Sequence, residues 1–563
     1  MASSTTTDES ANISLRGSSP AETGVFLDDL PIYDAVRFSR LNGIGTFSIF
    51  NTAIVNRLYV FPGNPPLEYG NTSAGLISIK TEDNIPNMDM NSISFSLANI
   101  GGLTSRKSGN KSAITVFSNF QPSKAFKLIN QKSLKDLEDF NTIDLGLHFI
   151  YEFNTKTFFK IFNYSNTEGY DYHFRHPTFD GIFSQNKNRN FTVSNFSKYF
   201  SSSELTINNG LSLSKANFTF SKTNVDINNR DIYFSVNYHH FFDQLSMKTG
   251  FTLDHRKAKI DGKFPRYEYA IDESHPFISF DTIQNLSVPE LYTYLKYNLS
   301  SSWVLGVGIR KNIPTNDQKN YWSRQLNLNY KLNSKNSINF STGKYHKYNL
   351  ASGEITGITL FPSRQVSLDY KFKSDLFELT SAVFHKNTCF DSKEKIIYGV
   401  EIFSKFKIFN RLEAMISYTY IHAEIEENNI SYPSKYDMNY FVRGSIKYRL
   451  GSNFELNTMF IHRQGTYYTP FTGKEFDQEL GIYEPYYAEF EKSIRLPDYS
   501  KFDLSISKLW PLREDLHLVS FAGINNIFNT TNVRMINYNF DYSESFKELY
   551  SKRTIYVGIM LSF

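Results

Sequence analysis

The segment QLNLNYKLNSKNSINF, residues 325–340, has apolar and polar side chains at alternate positions on both sides of a short polar turn. Period-two alternation places successive side chains on opposite faces of a strand. The same alternation occurs elsewhere in the sequence, with apolar residues at Val366, Leu368, Tyr370 and Phe372 and at Ile232, Phe234, Val236 and Tyr238. The pattern predicts antiparallel strands with one apolar and one polar face.

The connections between these predicted strands alternate in length along most of the chain. Short turns are predicted at residues 154–156, 200–203, 243–244, 300–302, 333–335, 373–375, 409–411, 451–453 and 511–515. Long polar loops are predicted at residues 169–188, 256–285, 345–362, 423–435, 464–499 and 529–548. Tight turns at one end and large loops at the other are typical of a transmembrane β-barrel with periplasmic turns and extracellular loops. The sequence therefore predicts an all-β fold, an antiparallel barrel of about 22 strands.

The composition of the chain excludes several other classes of protein. The chain has 563 residues, a net charge of only +4, no basic tract and a single cysteine, Cys389. These features argue against nucleic acid as a partner and against a cysteine-rich metal cluster. No apolar run reaches the ~18 residues of a membrane-spanning helix. The alternative is a soluble all-β protein, a propeller or tandem sandwiches, but no blade-length repeat is present, and several predicted strands are long enough to cross a bilayer at a tilt.

A barrel of this size encloses a lumen that needs a plug. The segments ISLRG, VFLDDLPIY, GTFSIFN, IVNRLYVFPGNPPLEYG and AGLISIKT occur in that order within residues 13–81. They resemble the second half of the plug domain of TonB-dependent outer-membrane receptors. Three later segments, HRQGTYYTPFTG, RLPDYSKFDLSIS and AGINNIFN, resemble barrel motifs of the same family, and the terminal Phe563 fits its closing strand. The resemblance implies a partial plug over residues 1–85 and a barrel over residues 86–563.

Three positions depart from the family pattern. Asp29 replaces the glycine of a turn, Ala74 replaces one glycine of a pair, and Phe61 precedes Pro62 where a Lys-Gly pair is usual. Only twelve residues precede ISLRG, and MASSTTTDES lacks the features of a secretory signal. The resemblance places a TonB box and the first half of the plug upstream of this point. We therefore expect residues 1–563 alone to bind ligand without energised uptake.

The resemblance also implies roles for individual residues. Arg16 and Glu68 lie in the plug motifs and are expected to join a charge network that holds the plug to the barrel. A loop at the outer apex of the family's plug faces the ligand, and the matching residues here are Tyr33, Arg37, Arg40 and Asn42. A basic and aromatic apex suits an anionic ligand such as a metal chelate.

No enzyme constellation or cofactor motif is present in the sequence. His173 and His176 could touch an iron chelate in a loop, although a solvated loop is the simpler interpretation; His239 and His240 point to opposite faces of one strand. The leading hypothesis is an outer-membrane receptor of a Gram-negative bacterium that imports a scarce ligand, energised by the TonB–ExbB–ExbD complex. The alternative is a non-energised barrel that serves as a structural or assembly platform for surface proteins, with a surface lipoprotein as partner.

Overall fold

The computed structural model describes residues 11–38, 47–50, 54–315, 318–350, 357–390 and 392–563. The first six strands are β1 (Gly24–Leu27), β2 (Leu30–Pro31), β3 (Val36–Arg37), β4 (Phe47–Ser48), β5 (Val55–Phe61) and β6 (Leu76–Thr81). Four of them form a small sheet in the order β2-β1-β6-β5, in which β1 and β6 are parallel, and β3 pairs with β4. We call this N-terminal region, residues 11–81, the plug.

The rest of the chain closes into one antiparallel barrel of 22 strands, as the sequence predicts. Its strands are β7 (Met90–Ser96), β8 (Asn99–Ser108), β9 (Ser112–Pro122), β10 (Leu137–Asn154), β11 (Thr157–His176), β12 (Phe179–Tyr199), β13 (Ser203–Phe220), β14 (Thr223–Phe241), β15 (Leu245–Pro265), β16 (Phe277–Asn298), β17 (Trp303–Asn312), β18 (Trp322–Lys331), β19 (Asn336–Asn349), β20 (Thr359–Lys373), β21 (Phe377–Phe390), β22 (Lys393–Ile408), β23 (Leu412–Glu427), β25 (Met438–Leu450), β26 (Phe454–Arg463), β31 (Tyr499–Pro511), β32 (His517–Asn525) and β35 (Thr554–Ser562). Strand β35 closes the barrel by pairing with β7.

Shorter elements lie in the connections. They are α1 (Lys124–Asn130), β24 (Ile430–Pro433), β27 (Tyr467–Tyr468), β28 (Phe471–Asp477), β29 (Ile482–Tyr487), β30 (Ile494–Arg495), β33 (Val533–Tyr538), β34 (Ser545–Leu549) and 3₁₀ turns at Pro20–Glu22, Phe409–Arg411 and Phe490–Lys492. The hairpins β28–β29 and β33–β34 belong to the connections after β26 and β32. Among the residues that the structure describes, no helix is long and apolar enough to span a membrane.

The barrel wall is apolar on its outer face, and its inner face is polar apart from the aromatic and apolar side chains that pack on the plug. On β20, Leu368 is 48% exposed on the outside, whereas its neighbour Ser367 is 4% exposed on the inside. At one end of the wall, Trp303 stacks on Tyr330 with ring centroids 4.2 Å apart, as in an aromatic girdle. In the alternating segments of the sequence, the apolar side chains therefore face the lipid and the polar side chains face the lumen.

Two of the predicted long loops are largely strand in the structure. Strands β11 and β12 run through most of residues 169–188 and leave only residues 177 and 178 between them, and β15 and β16 extend through much of residues 256–285. An aromatic cluster that includes Phe174, Phe179, Phe183 and Phe220 packs on the first of these extensions. Paired strands satisfy their backbone groups beyond the bilayer as well as within it, so polar composition alone did not mark the ends of strands.

The plug packs an apolar core against the inner wall. Leu27, Leu30 and Ile77 are nearly inaccessible and lie in one cluster with Phe162 and Phe191 of the wall. The β1–β2 turn places Asp28 and Asp29 at φ of 48° and 69°, so Asp29 does adopt the left-handed conformation that a glycine would adopt more easily. The predicted domain boundary after residue 85 falls between β6 and β7, and the division into domains stays a prediction.

Candidate functional site at the plug and barrel wall

The outer part of the plug is bound to the wall through Tyr33. Its hydroxyl donates a hydrogen bond to Asp254 of β15, and the Arg256 guanidinium lies 3.5 Å from the centre of the Tyr33 ring. Asn71 donates a second hydrogen bond to Asp254 at 3.1 Å. Burial, and then the negative charge of Asp254, raise the pKa of Tyr33 well above its ordinary value. The hydroxyl is thus a fixed donor that ties the plug to β15.

Arg37 is the most extensively bonded residue of this region. Its guanidinium donates to Asp144 at 2.6 Å, to the Tyr164 hydroxyl at 2.8 Å and to Gln121 at 2.8 Å. Arg37 and Asp144 are both almost completely buried. A buried charge needs such partners because desolvation by itself is unfavourable.

Asp34 lies between Lys187 and Arg189 of β12, and each of these cations forms an ion pair with its carboxylate. Burial would raise the pKa of Asp34, but the charges of Arg189 and Lys187 outweigh it and lower the pKa below its ordinary value. The segment from Tyr33 to Arg37 is therefore held by charges on three neighbouring parts of the wall.

The opposite side of the plug is held by Arg16 and Glu22. Arg16 donates to Glu401 of β22 at 2.9 Å and to Asp369 of β20 at 3.2 Å. Glu22 is 0% exposed and pairs with Lys395 of β22 and, at 3.8 Å, with Lys386 of β21. Burial would raise the pKa of Glu22, but the two lysines outweigh it and hold the pKa at about 2.

The remaining contacts come from Asp28, Glu68 and the β5–β6 loop. Lys160 of β11 bridges Asp28 and Asp83, and Lys248 of β15 pairs with Glu68. In the loop, the backbone N–H of Asn64 donates to the side-chain oxygen of Gln365 at 2.9 Å, and the Gln365 side chain in turn donates to the carbonyl of Ser73 at 2.7 Å. This loop, residues 62–75, is thus a second point, besides Arg16, at which the plug contacts β20.

The structure brings together some of the residues that the sequence singled out. Arg16 and Glu68 each pair with a charge on the wall, and Tyr33 and Arg37 lie in one region of the plug. Arg40 and Asn42 lie outside the described residues. The assignment of roles to all six residues stays a prediction. Sequence reasoning missed Glu22 and Asp34, although the Ser19-x-x-Glu22 capping box was a readable signal for the position of Glu22.

The histidines that the sequence analysis considered have separate contacts. His173 is paired with Asp180, whereas His176 lies beside the Thr178 hydroxyl at 3.1 Å. His239 and His240 pack against different phenylalanine rings, Phe241 and Phe242. No group of three potential metal-ligating side chains gathers within the described ranges.

Comparison with known proteins starts with the plug. Residues 1–77 match the family model described as TonB-dependent Receptor Plug Domain. The chain has the architecture of a TonB-dependent receptor. Receptors of this family are transporters rather than enzymes, which agrees with the lack of a catalytic constellation in the sequence. No curated protein sequence matches the chain.

Solved structures share the whole architecture. The ferric yersiniabactin uptake receptor FyuA from Yersinia pestis aligns with a TM-score of 0.74 and 13% identity, over 100% of this chain and 92% of that one. The siderophore receptor PirA from Acinetobacter baumannii aligns with a TM-score of 0.73 and 13% identity, over 99% of this chain and 94% of that one. The copper transporter OprC aligns with a TM-score of 0.71 and 11% identity, over 97% of this chain and 91% of that one. At such identities the likeness to these structures is one of fold.

Proposed function

We propose that this chain forms the plug and barrel of an outer-membrane receptor of a Gram-negative bacterium, which binds a small ligand at its extracellular face and imports it. The observation that carries the proposal is a lumen filled by a plug with ion pairs to the wall on opposite sides, through Arg16 and Glu22 and through Asp34 and Arg37. Because ion pairs and hydrogen bonds can exchange with water, such a seal can open and close more readily than a purely apolar one. The TonB–ExbB–ExbD complex would supply the energy.

The ligand class that we propose is a metal chelate such as a siderophore. The names of the similar structures support it, since they include receptors for siderophores and a copper transporter. Tyr33 and Arg37 would hold the apex segment in place, and Arg40 and Asn42 would contact the ligand. A guanidinium suits an anionic chelate because it donates several hydrogen bonds in a fixed plane.

Uptake tests the proposal directly. Cells that carry the full gene product as their only such receptor would be offered ⁵⁵Fe bound to catecholate, hydroxamate and phenolate chelators, and ⁶⁴Cu. We expect one chelate to accumulate and its accumulation to stop when TonB is deleted. R40A should weaken binding of that chelate at least tenfold, whereas K111A, in a turn at the opposite end of the barrel, should not. Surface-exposed receptor with no accumulation of any probe would contradict the proposal.

The second candidate, a platform for surface proteins, is favoured by one observation. The hairpins β28–β29 and β33–β34 expose large aromatic side chains, including Phe476 at 49%, Tyr487 at 52% and Phe540 at 49%. Exposed aromatic residues are enriched where proteins bind one another. A platform predicts stoichiometric co-purification of a surface lipoprotein that is lost in F476S/Y487S/F540S, with no chelate uptake in either protein.

A further inference from the structure

Three cations lie side by side on the outer face of the barrel. Arg324 of β18 is directly opposite Lys344 of β19, and Lys344 is directly opposite Arg364 of β20. Paired residues of neighbouring strands are about 5 Å apart at Cα, so the three side chains start within about 10 Å of one another. We call these three residues the cationic row.

The cationic row faces outward rather than into the lumen. Arg324 lies two residues from Leu326, which is 39% exposed on the lipid side, whereas the intervening Gln325 is 4% exposed and donates to the carbonyl of Asn64 in the plug. The same alternation holds on β20, where Gln365 contacts the plug and Arg364 is exposed. The row therefore has no access to the plug or to a ligand in the lumen.

No carboxylate neutralises the cationic row within the described part of the chain. Among the described residues, Glu394 of β22, two strands away from β20, lies on the outer face, and it accepts a hydrogen bond from Asn387. Like charges placed directly opposite each other destabilise a sheet. Two such pairs in succession are consistent with a site whose counter-charge comes from another molecule.

The row lies near the loop-side end of the apolar band. Along β18 and the residue after it, outward-facing positions run from Leu332 through Tyr330, Leu328 and Leu326 to Arg324, and then to Trp322. Arg324 is eight residues from Leu332, about 26 Å of strand, which rises roughly 20 Å at the usual tilt; the apolar band of such barrels is ~25 Å tall. Trp322 marks the interface, and Lys311 of β17 lies 5.5 Å from its ring.

We infer that the cationic row binds the phosphate of a lipid headgroup in the outer leaflet. An occupant at this level contacts apolar side chains below and cations above, and an amphiphile with an anionic head meets both conditions. Two guanidinium groups offer paired donors to phosphate oxygens, and the Lys344 ammonium adds a third charge between them. The leaflet follows from the orientation in the proposed function, whereas the binding site follows from the barrel alone.

Lipid binding by the purified full-length protein tests this inference without any transport assay. Diphosphoryl lipid A would be titrated into the protein in a neutral detergent, and the bound lipid would be counted by native mass spectrometry. The variant R324Q/K344Q/R364Q should bind at least tenfold more weakly than wild type. The control K296Q/K331Q/K371Q removes three charges from the opposite rim of β16, β18 and β20 and should bind as wild type does.

Further measurements separate the possible sources of the anion. Millimolar inorganic pyrophosphate should displace little lipid, and dephosphorylated lipid A should bind at least tenfold more weakly than the diphosphoryl form. The variant R324K/R364K keeps the charges but loses the paired guanidinium donors, so its lipid affinity should fall less than that of R324Q/K344Q/R364Q and should decrease further with added salt. Equal affinity in wild type and R324Q/K344Q/R364Q would overturn the inference. The inference would also be overturned if pyrophosphate bound the cationic row as tightly as diphosphoryl lipid A does. It would be overturned as well if an acidic protein co-purified with wild type in place of lipid and was lost in R324Q/K344Q/R364Q.

Discussion

Arg16 of the plug and Glu401 of the wall form a hydrogen-bonded ion pair, with 2.9 Å between Nε and Oε2, although 385 positions separate them in the chain. Arg16 also donates to Asp369, and its guanidinium lies 4.6 Å from the centre of the Phe384 ring. The φ of 48° at Arg16 and 71° at Gly17 forms the turn that presents the guanidinium to the wall. One side chain therefore joins the start of the plug to strands β20, β21 and β22.

Removal of both acids should loosen the plug. In D369A/E401A the Arg16 cation stays buried without a counter-charge, and the free energy that holds the plug in the barrel should fall by about 2–3 kcal/mol. This is less than for a fully buried pair, because both carboxylates are 29% exposed. Hydrogen exchange of the plug amides would measure the effect. The control E378A removes an acid paired with the exposed Lys371 and should cost less than about 1 kcal/mol; an equal loss in both would refute a special role for Arg16.

Acid should release the plug at Glu22. A carboxyl whose pKa is about 2 in the folded protein and 4.5 in the unfolded chain stabilises the folded state above pH 4.5, and this contribution is lost as the pH falls towards 2. The expected loss is on the order of 3 kcal/mol. Urea unfolding of the plug at pH 7, 4.5 and 3 in wild type and E22Q would measure it. The free energy of unfolding should fall more steeply with decreasing pH in wild type than in E22Q, and only below pH 4.5. The same dependence on pH in both proteins would contradict the prediction.

Gly75 should not tolerate a side chain. A Cβ there would lie 2.3 Å from the carbonyl oxygen of Phe61, a backbone atom of the paired strand β5 that cannot rotate away. We expect G75A to destabilise the plug by about 1–3 kcal/mol through this overlap. G473A, in hairpin β28–β29, meets no atom within 4 Å and is the matched control. Thermal unfolding of the two variants, compared with wild type, would show whether the effect is confined to Gly75.

The two ends of the barrel should react differently with a membrane-impermeant maleimide on intact cells. In a C389S background, which removes the exposed native thiol, D477C lies in hairpin β28–β29 and should be labelled. N333C lies in a short turn at the other end and should be labelled only after lysis. Labelling of N333C but not D477C on intact cells would reverse the orientation.

The sequence by itself determined the class of fold. Period-two alternation is a local property, because the lipid selects apolar side chains on one face of every strand whatever its partner. Turn composition showed which connections are tight, and the ordered motifs within residues 13–81 identified the plug. Leu27, Ile77 and Ile79 belong to these motifs and are buried in the lumen.

The tertiary structure decided which charges meet. Closure of the barrel brings Glu22 to Lys395, 373 positions away. Arg324, Lys344 and Arg364 form one row only because their three strands pair in that register. It also turned two predicted loops into strands, since backbone pairing continues wherever neighbours are aligned. Such contacts depend on the register between distant strands, and a shift of one residue would move every side chain to the opposite face. No local pattern of residues contains that information.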